Sequence, residues 1–151
     1  MANITLNKAL TKKNSLAGKI KKIQNQIEES NSYNTAQPVH FDAIKLYEEL
    51  HVLVNDLIRL KTSIENANGP IRSKIFRLAE IKGEIVFLDG IPIKEGEFRR
   101  DTYGASSTVI DIYECAINQL KISKRIAELE QEIELLQDEI STFNYTTQIE
   151  F

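Results

Sequence analysis

At 151 residues the chain is sized for one domain, and its 42% apolar and 27% charged content suits a packed core under a soluble surface. A net charge of −3 has the wrong sign for a dedicated binder of DNA or RNA, whose electrostatic footprint is a basic excess. One cysteine, Cys115, excludes an internal disulfide and a cysteine-based zinc site, and points to a reducing, cytoplasmic home.

The first residues carry Lys8, Lys12 and Lys13 where a signal peptide needs an apolar run, so standard secretion is not expected. No window approaches the roughly 18 consecutive apolar residues of a spanning helix, so no membrane is expected either. Leu6, Leu10, Leu16, Ile20, Ile23 and Ile27 recur at mostly helical steps and predict a helix over about 4–30. Its polar face is basic: six lysines precede the first acid, Glu28. Gly18 weakens this helix by about 1 kcal/mol relative to alanine and suggests a close packing contact.

A polar connection over 31–40 ends near Pro38, and a second helix is predicted over 42–66. Leu46, Leu50, Leu53, Leu57, Leu60 and Ile64 alternate steps of four and three, which is a heptad seam. Asn68-Gly69-Pro70 stops it, with glycine suited to a left-handed cap and proline to the first turn of the next helix. The third helix, over 71–89, sets Ile71, Ile75, Leu78, Ile81, Ile85 and Leu88 on one side. An irregular central loop is predicted over 90–107, and a fourth helix over 108–142. The fourth helix has an apolar face that starts as Val109, Tyr113, Ala116 and Leu120. That face then shifts to Ile122, Ile126, Leu129, Ile133, Leu136, Ile140 and Phe143. The threonine- and aromatic-rich tail suits extended backbone.

These elements predict an all-α protein. Its architecture is a single-domain antiparallel helical bundle with a long, coiled-coil-like C-terminal helix and one irregular central loop. A helix of 35 residues would reach about 52 Å, beyond the roughly 38 Å diameter of a compact chain of this length. From Ile126 to Phe151 there are seven acids and no lysine or arginine, against the basic first helix. Both features predict a homo-oligomer assembled through the heptad seams and the oppositely charged terminal helices.

The central loop carries the residues best suited to a ligand. Arg99 and Arg100 offer planar guanidinium forks for phosphate or carboxylate, Tyr103 can stack on a base or sugar, and Ser106 and Ser107 precede the expected helix start, whose free N–H groups favour anions. One expectation is therefore a small anionic, nucleotide-like ligand bound by Arg99, Arg100, Tyr103, Ser106 and Ser107. The other is that Ser107 or Thr108 caps the helix and the arginines join a neighbouring subunit, leaving a scaffold or interaction module. No G-x-x-x-x-G-K-[ST] supports phosphate cleavage. His40, His51 and Cys115 lack partners in sequence, so no metal site, cofactor or catalytic residue is expected, and the protein is read as a non-enzyme.

Four short segments also resemble a family of small bacterial helical proteins termed septicolysin-like. They are Leu6-Asn7-Lys8-Ala9-Leu10, Ile64-Glu65-Asn66-Ala67-Asn68, Ser107-Thr108-Val109 with Asp111, and Asn144-Tyr145-Thr146-Thr147. They occur in the family's order and at similar spacing, although the family's tail has tryptophan where Tyr145 stands. The resemblance implies an oligomeric, all-helical protein without established catalysis.

Overall fold

The computed structural model describes residues 2–101, 104 and 108–151. Among them the chain is mostly helical, with four α-helices and two small two-stranded sheets. The order is β1 (Asn3–Thr5), α1 (Leu6–Ser30), α2 (Ala43–Ala67), a 3₁₀ turn (Gly69–Ile71), α3 (Arg72–Asp89), β2 (Gly96–Asp101), β3 (Thr108–Tyr113), α4 (Gln119–Thr146) and β4 (Gln148–Glu150). The chain divides into two compact units: Met1–Arg72 with Glu139–Phe151, and Ser73–Asp138.

In the first unit, side-chain oxygens start both helices. Thr5 Oγ1 accepts from the Lys8 N–H, and Asp42 Oδ1 accepts from the N–H groups of Ile44 and Lys45, satisfying donors that a helix start leaves unpaired. The heptad seam of α2 meets the apolar face of α1, and Leu6, Ala9, Leu16, Leu60, Ile64 and Ile149 form the buried core. The start of α1 thus packs with the end of α2. The extended tail expected from the threonine-rich terminus is β4, antiparallel to β1 with Ile4 opposite Ile149. Two further backbone bonds join Ala2 and Phe151, each 3.1 Å. Lys12 Nζ lies 4.3 Å from the centre of the Phe151 ring, a cation–π contact across the joined termini.

Three sequence expectations change here. α2 does stop before Asn68-Gly69-Pro70, but Asn68 is right-handed and Gly69 enters the 3₁₀ turn without a positive φ. Gly18 is exposed, and a Cβ added to it would meet nothing within 4 Å, so it marks no close contact among the described residues. Gly18→Ala should therefore raise unfolding stability by up to about 1 kcal/mol, read as a higher urea midpoint at unchanged slope. A lower midpoint would mean that this backbone is approached by another chain.

The largest change concerns 90–118. Thr108 does not begin a helix. Thr108-Val109-Ile110-Asp111-Ile112-Tyr113 is β3, paired with β2 in an antiparallel hairpin, and the last helix starts at Gln119 with Asn118 Oδ1 accepting from the Lys121 N–H. α4 is consequently 28 residues long, about 42 Å, which removes most of the length excess that favoured an oligomer.

In the second unit, α3 and α4 run antiparallel. Arg77 binds Glu132 through two hydrogen bonds of 2.8 and 3.0 Å, and Arg125 binds Glu84 through two of 2.9 and 3.4 Å. Positions 77 and 84 are one heptad apart, as are 125 and 132, so the two clamps keep one register. Ile81, Ile122 and Leu129 are the buried apolar side chains of this unit among the described residues.

Candidate functional site

The residues expected to bind a ligand fall on the β2–β3 hairpin and its connection. Arg99 and Arg100 are exposed on β2, whereas Tyr103, Ser106 and Ser107 lie outside the described residues. Strand geometry separates the two arginines, because neighbouring side chains on a strand point to opposite faces. Arg99 stands opposite Ile110 on one face, and Arg100 stands opposite Val109 on the other. The two guanidinium groups therefore do not converge as a clamp, and no helix N-terminus follows at Thr108 to supply N–H donors.

The two faces differ in how far they are satisfied. On one, Phe98 meets Tyr113 edge-on at 5.5 Å, and Lys94 Nζ sits 3.8 Å from the Tyr113 ring centre and 4.8 Å from that of Phe98. Arg100 Nε lies 3.3 Å from Asp111 Oδ2 on the same face. The other face carries Glu97 opposite Ile112 and Arg99 opposite Ile110. Ile110 and Ile112 are 50% and 71% exposed, and Glu97 and Arg99 make no ion pair among the described residues. Among the described residues, the outer edges of both strands are unpaired. A lone two-stranded hairpin is marginal in water, where three or more strands or a packed face are needed.

A second incomplete surface lies on α3. On a helical period, Leu78, Ile81, Ile85 and Leu88 form the inner face. Phe76, Ala79, Gly83, Val86 and Phe87 fall on the opposite side. Phe76, Val86 and Phe87 are 63%, 73% and 67% exposed. A Cβ added to Gly83 meets nothing within 4 Å. Sequence reasoning credited α3 with one apolar face. The signal for the second was the three-four-three spacing of Phe76, Ala79, Gly83 and Val86.

Other chemistry-bearing groups stay apart. His40 is exposed in the connection before α2, His51 meets Tyr47 edge-on at 4.5 Å, and Cys115 Sγ lies 3.4 Å from the Lys94 carbonyl oxygen. Among the described residues, no three His, Cys, Asp or Glu side chains gather as a metal site, no buried side-chain nitrogen or oxygen lacks a hydrogen bond, and no helix is long and apolar enough to cross a membrane.

The clearest electrostatic perturbation is structural. Hydrogen bonding from Arg77 holds the Glu132 carboxyl below its ordinary value of 4.5, and its charge adds to that, against partial desolvation. A depressed carboxylate contributes stability that is present above the unfolded pKa and lost as pH falls through the lower folded value. Acid should thus weaken the α3–α4 pair below about pH 4.5. Glu132→Gln should flatten that part of the pH–stability curve, and an unchanged acid limb in this variant would assign it to other carboxylates.

No family model, curated protein or solved structure matches the chain.

Proposed function

We propose that this protein is a non-enzymatic, cytoplasmic, self-assembling helical bundle that acts as a structural or protein–protein interaction module. Its α3–α4 pair behaves as an antiparallel coiled coil with one further helix-packing face. The observation that carries this reading is the apolar outer face of α3. A helix that is apolar on opposite faces belongs inside an assembly, since a solvent-facing helix is apolar on one stripe.

Gly83 adds weight. Glycine within a helix costs about 1 kcal/mol against alanine, and among the described residues nothing lies within 4 Å of a Cβ added to Gly83 to offset that. Ala79 and Gly83 would let a second helix approach closely, with Phe76, Val86 and Phe87 packed around the crossing. Each large side chain fully buried there contributes about 1.5–3 kcal/mol.

The anionic-ligand reading of Arg99 and Arg100 is less favoured, because Arg100 is engaged by Asp111 and the two side chains sit on opposite faces. Native mass spectrometry tests both readings together. A multiple of 17.2 kDa with no added small-molecule mass is expected. A single-chain mass would contradict self-assembly, and a retained nucleotide or other anion would restore the ligand reading.

A further inference from the structure

Self-assembly, on which this proposal rests, needs a surface, and the hairpin supplies one. We infer that the free edge of β2 pairs antiparallel with the β2 edge of a second copy, on a twofold axis at Phe98, to give a four-stranded sheet in the order β3–β2–β2–β3.

The occupant is set by charge pattern. Exposed edges are commonly protected from pairing by charge, and β2 is charged at Glu97, Arg99, Arg100 and Asp101. Glu97 and Arg99 are of opposite sign two residues apart. When a strand pairs with its own copy about a twofold axis normal to the sheet, one residue lies on the axis, and its neighbours on either side face each other's copies. With Phe98 on the axis, Glu97 of each copy stands opposite Arg99 of the other, giving two cross-strand ion pairs. Gly96 stands opposite Arg100, leaving room beside the Arg100–Asp111 contact, and the one like-charge pair, Asp101 opposite Glu95, falls at the strand ends, Glu95 lying outside β2.

The other registers fail. An axis at Glu97, Arg99 or Arg100 sets a charge against its own copy. The β3 edge is not self-complementary in this way: an axis at Asp111 opposes two aspartates, and one at Ile110 opposes Asp111 to Val109. Pairing through β2 also accounts for the contrast between the two faces of the hairpin among the described residues. Glu97 and Arg99, which make no ion pair among the described residues, gain partners on the same face as Ile110 and Ile112. The sheet so formed passes the three-strand threshold for stability that the lone hairpin misses.

Charge reversal tests this without touching the core. Glu97→Arg and Arg99→Glu each place like charges across the axis and should each weaken self-association by about tenfold or more, read by sedimentation velocity over a dilution series. The double variant Glu97→Arg/Arg99→Glu should recover association, because the swapped strand is again self-complementary. The two single variants mixed should associate with each other better than either does alone. If the singles associate as the unaltered chain does, or the double variant does not recover, the β2 pairing is wrong. If Gly83→Leu still dissociates the assembly in that case, the self-assembly reading survives. An unaltered chain that is single at every concentration overturns both. Helical circular dichroism at the unaltered level in each variant excludes misfolding as the source of any loss.

Discussion

Leu129→Ala is expected to cost about 2–5 kcal/mol and to loosen the Ser73–Asp138 unit in preference to the other. Leu129 is fully buried, and among the described residues of that unit only Ile81 and Ile122 are buried with it. With so few buried side chains, the unit has little remaining core to close over the cavity. Arg77–Glu132 and Arg125–Glu84 keep the helix register, but such solvent-exposed ion pairs are weakened by water and salt and cannot replace the lost packing. Urea unfolding should show a lower midpoint. Amide exchange should rise along α3 and the first turns of α4 before it rises in α1. Equal loss of protection throughout the chain would mean that the two units unfold as one. A loss below about 1 kcal/mol would mean that the site relaxes around alanine.

Gly83→Leu is expected to abolish association through the outer face of α3 while leaving the single chain folded. Leucine favours a helix more than glycine does, and an added side chain at 83 points into open space in the single chain. Considered alone, the chain should therefore gain about 0.5–1 kcal/mol. If another helix crosses at Gly83, the same side chain holds the two backbones apart, and packing around Phe76, Val86 and Phe87 is lost with it. The two effects have opposite sign, which makes this position informative. Gly83→Ala should fall between them, with partial loss of association. A Gly83→Leu protein that is both more stable and as fully assembled as the unaltered chain would show that this face is not the contact.

Much of the fold was legible because it is local and periodic. The α2 seam from Leu46 to Ile64 and the stop at Asn68-Gly69-Pro70 mark an element whose ends agree with the structure to within a residue or two. The extended tail followed from its β-prone composition, although its partner, β1, is too short to stand out as a strand. The hairpin was missed because Val109, Tyr113, Ala116 and Leu120 fit a helical period. The competing signal was the β-branched run Thr108-Val109-Ile110 with Ile112, and the break in register between Leu120 and Ile122. Asn118, three residues before Lys121, marked the true helix start.

The geometry of the two arginines proposed for a ligand was not legible in the sequence. Arg99 and Arg100 are adjacent in the chain, and on a strand adjacency means opposite faces. Only the pairing with Ile110 and Val109 reveals which arginine shares a face with Asp111. The outer face of α3 escaped for a different reason. Once Leu78, Ile81 and Ile85 had explained the helix, the second stripe through Ala79 and Gly83 looked like neutral filler.

The most direct measurement of the central claim, that this chain completes its apolar faces with further copies of itself, is its molar mass by light scattering across a hundredfold dilution. The account predicts an integral multiple of 17.2 kDa at high concentration, falling toward the single-chain mass on dilution. A mass of 17.2 kDa at every concentration would contradict it.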